Sequence, residues 1–320
     1  MTKHCKGCGI ALQNALKEKD GYVSDITKDY CERCFKMTHY HELTSAKKKI
    51  NNKSIISKIK PNSFVIFCLD FININDEVKE LYKSIKEKKI ILIMKNDIIP
   101  KSIKESKIIN YLRNFWQVKE PIITTDKYHY SFRTVETYIP NIVKNVYVLG
   151  PTNVGKSSFI NSLLNSQGLN GSLTVSEMPN TTLDWIKIET NNYTIYDSVG
   201  FTYLNNYSKD IIKKSNIKKE IKPISIQSPD AAIKIDNVGF IKTKNKYPIT
   251  WFGSNNIEVT KYYGEVEYSN IINIPKNTNV FIRGIGFFYF KEEETISIAN
   301  IKEDNIIISS SFVGGTNGQD

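Results

Sequence analysis

The sequence predicts an α/β domain with a parallel sheet, placed between a small cysteine-rich module and a β-rich segment. Between residues 46 and 215, apolar runs alternate with amphipathic stretches, an order that builds a parallel sheet covered by helices. After residue 216, short alternating segments separated by Asn, Gly or Pro are typical of antiparallel strands. The first 45 residues carry four paired cysteines but no apolar period long enough for a core. We therefore expect three domains, at residues 1–45, 46–215 and 216–320.

Composition and charge favour a water-soluble protein with a polyanionic partner. The chain has 44 basic and 33 acidic side chains, a formal net charge of +11, and residues 1–60 carry seven of those net charges. A concentrated basic block suits the phosphates of a nucleic acid. No apolar run approaches the roughly 20 residues of a bilayer span, and the polar N-terminus shows no signal peptide. We expect a cytoplasmic protein without a membrane partner.

The cysteines of the first segment predict a structural zinc site. They form two C-x-x-C pairs separated by 22 residues, Cys5 with Cys8 and Cys31 with Cys34. Two intervening residues let both sulfurs of a pair reach one tetrahedral ion, and two pairs close the site. Redox-active or simply buried cysteines are the alternative, and His39 or His41 could replace a thiolate. Because so small a module needs a cross-link, we predict zinc bound by the four cysteines.

Apolar patterning places the central and C-terminal elements. Buried strands are predicted at residues 63–69, 90–94 and 146–149, with helices at 77–86 and 157–164. Cys68 falls inside the first of these strands and is predicted to be a core residue. Antiparallel strands are predicted within residues 232–242, 256–267, 279–291 and 295–301. The aromatic residues of these segments could stack on unpaired bases, but in alternating strands they more often form a core.

Residues 150–157 match the phosphate-binding motif G-x-x-x-x-G-K-[ST], directly after one predicted strand and before a helix. In such a loop, backbone N–H groups surround phosphate oxygens at the positive end of the helix. Lys156 is expected to reach the terminal phosphates, and the Ser157 hydroxyl is expected to bind Mg²⁺. The predicted nucleotide contacts here are Asn153, Val154, Gly155, Lys156, Ser157 and Ser158.

Two downstream segments have the order of the switches of a GTPase. Residues 179–184 contain Thr182, which we favour over Thr181 as the residue that completes the Mg²⁺ shell. After a further strand, Asp197 is placed to hold a Mg²⁺-bound water, and the Gly200 amide to face the γ-phosphate. The metal ligands predicted for Mg²⁺ are therefore Ser157, Thr182 and Asp197.

The base-recognition motif lies upstream of the phosphate loop. Lys95 and Asp97 follow the predicted strand 90–94. An aspartate there can accept hydrogen bonds from guanine N1 and N2, and the lysine stem can cover the ring. The base-binding half thus precedes the phosphate-binding half, which is tolerable when the original termini lay close together. The sequence predicts a circularly permuted P-loop GTPase domain with an N-terminal zinc ribbon and a C-terminal β-rich domain.

With these motifs in this order, nearly the whole chain resembles the YqeH family of circularly permuted GTPases, which is associated with maturation of the small ribosomal subunit. The matching stretches are residues 5–9, 30–40, 95–100, 150–158, 179–184 and 196–200, with a thinner match at 279–286. The resemblance implies binding of GTP and GDP, GTP hydrolysis, zinc at the N-terminus, and a C-terminal module that contacts RNA or protein. Expected partners are a guanine nucleotide and rRNA or the pre-ribosomal small subunit.

Four residues modify these expectations. Met94 stands where the family has an Asn that braces the base loop, and Thr124 with Thr125 stands where a Ser-Ala pair is expected. Phe201 occupies the place of a water-orienting Gln, so slow intrinsic hydrolysis is expected. The open alternatives are an RNA-binding scaffold with a degenerate nucleotide site and a nucleotidase with relaxed base specificity.

The resemblance links an Asn at the position of Asn153 with a bound K⁺ ion; alternatively this residue only braces the loop. Catalysis is therefore assigned to Lys156, Asn153 and Thr182. The second switch also leads into a basic linker, residues 209–222, through which nucleotide state could reach the C-terminal module.

Overall fold

The structure, a computed structural model, describes residues 3–5, 11–16, 19, 21–32, 55–126, 132–166, 185–198, 207–228 and 230–314. These residues contain one six-stranded sheet in the central segment and two five-stranded sheets in the C-terminal segment. Among the described helices, none combines the length and the apolarity that a bilayer crossing requires.

The central segment alternates strands and helices, as predicted. Its elements are β1 (Phe64–Leu69), α1 (Asp76–Ser84), β2 (Lys88–Ile93), α2 (Glu105–Asn114), β3 (Ile122–Thr124), α3 (Phe132–Tyr138), β4 (Asn145–Leu149), α4 (Lys156–Ser166), β5 (Trp185–Glu189) and β6 (Thr194–Ser198). Short 3₁₀ turns follow β1 at Phe71–Asn73 and β2 at Asn96–Ile98. The predicted strands and helices are confirmed, with ends that differ by one or two residues.

The strand order of the large sheet is β3-β2-β1-β4-β6-β5. Its neighbouring strands are parallel, except that β5 runs antiparallel to β6. Strand β1 pairs with both β2 and β4, and its residues from Val65 to Leu69 are fully buried because the sheet is covered on both faces. Cys68 is among them, which confirms it as a core residue. The loops that follow β1, β2, β4 and β6 consequently meet at one edge of the sheet.

The C-terminal segment folds into two antiparallel sheets. After α5 (Lys209–Lys214), its strands are β7 (Ile224–Ile226), β8 (Ala232–Ile235), β9 (Gly239–Thr243), β10 (Ile249–Gly253), β11 (Val259–Tyr262), β12 (Asn270–Ile274), β13 (Thr278–Ile282), β14 (Gly286–Phe290), β15 (Glu294–Ala299) and β16 (Ile306–Ser310). The strand orders are β16-β13-β14-β10-β7 and β11-β8-β9-β15-β12. Phe287, Phe288 and Phe290 are buried, so the aromatic run of β14 belongs to the core. Tyr263, by contrast, is 78% exposed.

One of the two C-terminal sheets, β16-β13-β14-β10-β7, shares a hydrophobic core with the central domain. The ring of Phe71, just beyond β1, lies 5.5 Å from that of Phe287 and 5.4 Å from that of Phe312, centroid to centroid. At the rim, Arg283 Nη2 contacts Glu77 Oε2 at 2.8 Å, and the Tyr111 hydroxyl donates to the Ser310 carbonyl at 2.9 Å. Because this contact is apolar as well as polar, the C-terminal module is held directly against the domain that carries the phosphate loop.

Candidate nucleotide-binding site

The phosphate loop, residues 150–157, connects the end of β4 to the start of α4. Gly150 has φ 152°, and a Cβ at this position would lie 2.3 Å from the Cys68 carbonyl oxygen. Only glycine therefore lets the loop begin this close to β1. Asn153 and Gly155 also have positive φ, 63° and 111°. These conformations curl the backbone into the nest-like shape that binds anions at a helix N-terminus.

Lys156 is folded onto its own loop. Its side chain is buried, and Nζ donates to the carbonyls of Gly150 at 3.0 Å and Pro151 at 2.9 Å. Burial lowers the pKa of Lys156, and the nearby Asp197 carboxylate partly opposes this shift. A phosphate group would offer this ammonium stronger, charged acceptors than the two carbonyls.

Asp197, near the end of β6, carries a buried carboxylate. It is 5% exposed, and its Oδ1 has no hydrogen-bond partner among the described residues. Burial raises the pKa of Asp197 to about 6, although Lys156 acts to lower it. An unsatisfied buried carboxylate oxygen beside the phosphate loop fits a hard cation such as Mg²⁺. Ser157, the predicted second ligand, is half-buried at the start of α4.

The other predicted residues of the loop differ in what they can offer. Val154 is completely buried in the core, so only its backbone is available to a phosphate. Ser158 is exposed on α4, and Asn153 is exposed at the tip of the loop.

The predicted base-recognition loop, residues 95–100, lies directly against the phosphate loop. Lys95 has φ 56° and donates from Nζ to the carbonyl of Asn153. Its ammonium also lies 3.5 Å from Oδ2 of Asp70, whose side chain is 2% exposed. Two residues later, Asp97 is half-buried on the 3₁₀ turn. The structure thus brings together two loops that are more than 50 residues apart in the chain.

Met94 has an apolar role at this junction. It is 2% exposed, and its Cε lies 3.2 Å from the position of a Cβ built on Gly155. The side chain therefore fills the space beneath the phosphate loop. It stabilises the contact between the loops by packing and offers a base no hydrogen bond.

The site contains two acidic residues that sequence reasoning missed. Asp70 accepts hydrogen bonds from Asn73 and Lys95, and so fixes the lysine of the base loop. Glu105 accepts hydrogen bonds from the base loop and from the residue that ends β3. Asp70 could have been found, because it follows a buried strand at the edge where Lys95 and Gly150 also lie. Glu105 belongs to no motif.

The basic linker, residues 209–222, contacts the predicted base-recognition loop and the residue after it. Its Ile221 N–H donates to the Ile98 carbonyl at 2.8 Å, and Glu220 Oε1 accepts from the Lys101 N–H at 3.2 Å. A small cleft at this junction is lined by Asp70, Ile72, Asn73, Lys95, Thr152, Asn153, Ser215, Asn216, Ile217 and Gly284. The phosphate loop and the predicted base-recognition loop are therefore both adjacent to the start of the C-terminal segment.

The cysteine module is described in part. Cys5 and Cys31 are both 2% exposed in one cluster with Leu12 and Val23, and the Cys31 N–H lies 3.2 Å from Cys5 Sγ. A backbone N–H directed at sulfur stabilises a metal-bound thiolate, so the geometry fits a zinc knuckle. The remaining predicted site residues, Cys8, Cys34, Thr181, Thr182, Gly200 and Phe201, and also His39 and His41, lie outside the described residues. Within the described residues, no group of three or more candidate metal ligands occurs.

Comparison with known proteins agrees with this site. Residues 145–250 match the family model described as 50S ribosome-binding GTPase. The YqeH protein of Bacillus subtilis is 31% identical over 251 residues, which cover 71% of this chain and 68% of that protein. GTPase Era of Mycoplasma genitalium is 31% identical over 178 residues, covering 53% of this chain and 56% of Era.

A plant relative is more distant. The NO-associated protein 1, chloroplastic/mitochondrial, of Arabidopsis thaliana is 24% identical over 240 residues, and this chain spans 43% of its length. The phosphate loop, the adjoining base-recognition loop and the extent of the match to YqeH lead to one assignment. This chain is a P-loop GTP hydrolase and belongs to the YqeH family.

Proposed function

We propose that this GTPase acts in assembly of the small ribosomal subunit and couples its nucleotide state to RNA or ribosome binding. The single observation that carries the guanine-nucleotide part is the contact between Lys95 Nζ and the Asn153 carbonyl. It places the base-recognition loop and the phosphate loop side by side, so that one nucleotide can occupy both. Asp97 would accept from guanine, and Lys156 would hold the phosphates.

The strand order supports a circularly permuted domain. The phosphate-binding strand β4 follows β1, β2 and β3 in the chain, yet it lies between β1 and β6 in the sheet. Starting the chain at β4 would place the base-binding half second, which is the usual order of a GTPase.

The Mg²⁺ ion would be held by Asp197, Ser157 and, from the first switch, Thr182. Such an ion supplies positive charge to the β- and γ-phosphate oxygens. Lys156 moves its ammonium from the loop carbonyls to phosphate and stabilises negative charge there. Phe201 lacks a hydrogen-bonding group to orient water, so turnover would be slow. Asn153, exposed at the loop tip, remains available to bind K⁺ near the phosphates.

A nucleotide titration tests this part of the proposal. In potassium buffer with Mg²⁺, we expect GTP and GDP to bind at least about tenfold more tightly than ATP. We expect Asp97→Asn to weaken the binding of GDP and to strengthen the binding of xanthosine diphosphate. The reason is that an amide can donate to the 2-oxo group of xanthine, whereas a carboxylate cannot. Replacing K⁺ by Na⁺ should slow hydrolysis if Asn153 binds the ion.

The exposed Asp304→Asn is the matched control and should leave all affinities unchanged. Equal binding of ATP and GTP would support relaxed base specificity instead. Absence of nucleotide binding would support the degenerate scaffold. An unchanged rate in Na⁺ would remove the ion from the mechanism.

The ribosomal part of the proposal depends on the N-terminal module and on the basic stretch at residues 46–60 that follows it. Residues 1–60 carry most of the net positive charge, and the buried Cys5 and Cys31 lie together as half of a zinc site would. We propose a zinc ribbon completed by Cys8 and Cys34 that contacts rRNA. The proposed setting is the cytoplasm.

Sedimentation with purified ribosomal subunits tests the partner. We expect the chain to co-sediment with the small subunit when loaded with a non-hydrolysable GTP analogue, and less so with GDP. We expect one zinc per chain, and its removal by a chelator should release the protein from the subunit. Preference for the large subunit, which the name of the matching family model suggests, would contradict the small-subunit assignment. Binding that survives loss of zinc would contradict the role of the ribbon.

A further inference from the structure

We infer that Glu105 is a positioning residue of the proposed guanine pocket. In this role it would hold the base-recognition loop in register with the loop after β3. The inference rests on the proposed binding of guanine by Asp97 and adds a residue that no sequence motif includes. Glu105 is not expected to touch the nucleotide. It would act through its two hydrogen-bonding partners.

The first line of support is the geometry of the carboxylate. Its Oε2 accepts from Asn96 Nδ2 at 2.7 Å, and its Oε1 accepts from the Thr124 hydroxyl at 3.0 Å. Asn96 directly precedes Asp97, and Thr124 is the last residue of β3. One oxygen therefore serves the predicted base-recognition loop and the other serves the end of β3. Hydrogen bonds to an ionised group are stronger than those between neutral groups.

The predicted base-recognition loop and the segment after β3 also contact each other through their backbones. The Asn96 N–H donates to the Thr125 carbonyl at 3.0 Å, and the Thr125 N–H donates to the Ile93 carbonyl at 2.8 Å. The side-chain bridge through Glu105 extends this contact by two hydrogen bonds. Together they hold the backbone on the N-terminal side of Asp97.

Helix α2, which carries Glu105, is firmly anchored in the fold. This residue is the first of helix α2, where a carboxylate is favoured by the helix dipole. The same helix buries Ile108 and Leu112 completely, and its Tyr111 is tied to β16 through the Ser310 carbonyl. A carboxylate on so well anchored a helix can serve as a fixed reference for the loop.

Met94, three residues before Asp97, cannot supply the polar contacts that Glu105 makes. Met94, at the end of β2, packs under Gly155 and has no polar group with which to hold the loop. The side-chain hydrogen bond from Glu105 to this loop therefore comes from α2, the helix that follows the loop. Displacing Asn96 by even a fraction of an ångström would misdirect the Asp97 carboxylate relative to guanine N1 and N2.

The test separates the base pocket from the phosphate loop by using two ligands. GDP needs both, whereas inorganic tripolyphosphate with Mg²⁺ needs the phosphate loop alone. For Glu105→Ala in the full chain, we expect GDP affinity to fall about tenfold, because two charge-assisted hydrogen bonds are lost. Tripolyphosphate affinity should stay unchanged. Equal losses for both ligands, or no loss for GDP, would overturn the inference.

A double-mutant cycle provides an independent measurement. Thr124→Val removes the hydroxyl and keeps the branched shape of the side chain. Alone, it should weaken GDP binding by a smaller factor than Glu105→Ala does. In the Glu105→Ala background the same change should add little, because its partner is already absent. Fully additive effects would contradict the bridge. Glu80→Ala, an exposed glutamate on α1, is the matched control and should bind both ligands as the wild type does.

The wild-type protein distinguishes this inference from the proposed function. If wild type does not prefer GDP to ADP, the guanine assignment itself fails. If wild type prefers GDP and Glu105→Ala keeps that preference in full, only the role of Glu105 fails.

Discussion

Lys156→Met is expected to abolish measurable GDP and GTP binding, with a loss of at least about 3 kcal/mol, or roughly a hundredfold in affinity. Methionine has a similar length but cannot donate to phosphate. The same change should also destabilise the nucleotide-free protein, because the carbonyls of Gly150 and Pro151 lose their donor. It would also leave the buried Asp197 without its neighbouring positive charge. Isothermal titration and thermal unfolding measure the two effects.

Lys83→Met, at an exposed position on α1, is the control for this substitution and should change neither quantity. Retention of GDP affinity within a few fold in Lys156→Met would show that the phosphates bind elsewhere. That result would remove residues 150–157 from the nucleotide site.

Asp197→Asn is expected to have opposite effects on stability and activity. It should abolish Mg²⁺-dependent hydrolysis, since the buried carboxylate is the charged ligand proposed for the ion. Without nucleotide and metal, however, it should raise the free energy of unfolding by about 2 kcal/mol near neutral pH. The reason is that Oδ1 is buried and has no hydrogen-bond partner in the described part of the chain, whereas Lys156 keeps its two carbonyl acceptors.

The pH dependence of this gain follows from the pKa of Asp197, which is about 6 in the folded protein against an ordinary value of 3.8. Between these two values the folded state binds more protons than the unfolded state, so wild-type stability from this group falls as pH rises from 3.8 to about 6. Above about pH 6 the buried Asp197 carboxylate is ionised and its full destabilisation of the folded state is present; near pH 4 this destabilisation is lost.

Unfolding in chelator-containing buffer at several pH values measures this effect. The stability advantage of Asp197→Asn over wild type should be largest above about pH 7 and should shrink towards pH 4. Asp304→Asn, on the surface, should show no such trend. An advantage that is absent at neutral pH, or that grows on acidification, would contradict the burial of an unsatisfied carboxylate at this site.

The sequence predicted the central fold because its signals are local. Apolar runs such as β1 and β4 have no other way to satisfy burial than a sheet covered on both faces, and the glycine pattern of the phosphate loop requires a strand before it and a helix after it. The order of Lys95, Lys156 and Asp197 along the chain likewise indicated a GTPase with its halves exchanged. These inferences needed only spacing and residue type.

The contacts between loops could not be predicted in this way. Asp70 and Glu105 belong to no motif, and their roles depend on where β1 and α2 place them relative to Lys95 and Asn96. From the sequence, Met94 indicated only the loss of the Asn that supports the base-recognition loop in the family. In the structure its side chain packs beneath Gly155. Such roles depend on distances between segments that are remote in the chain, and residue type alone does not specify those distances.

By itself, then, the sequence determined which chemical groups this GTPase has: the glycine loop with its lysine, the upstream aspartate and the paired cysteines. The tertiary structure alone decided which groups meet. It placed Lys95 on the phosphate loop and put the linker against the predicted base-recognition loop. It also buried Asp197 with one carboxylate oxygen that no described residue satisfies. The physical reason is that parallel strands bring the loops at their carboxyl ends to one edge, whatever the order of those strands in the chain.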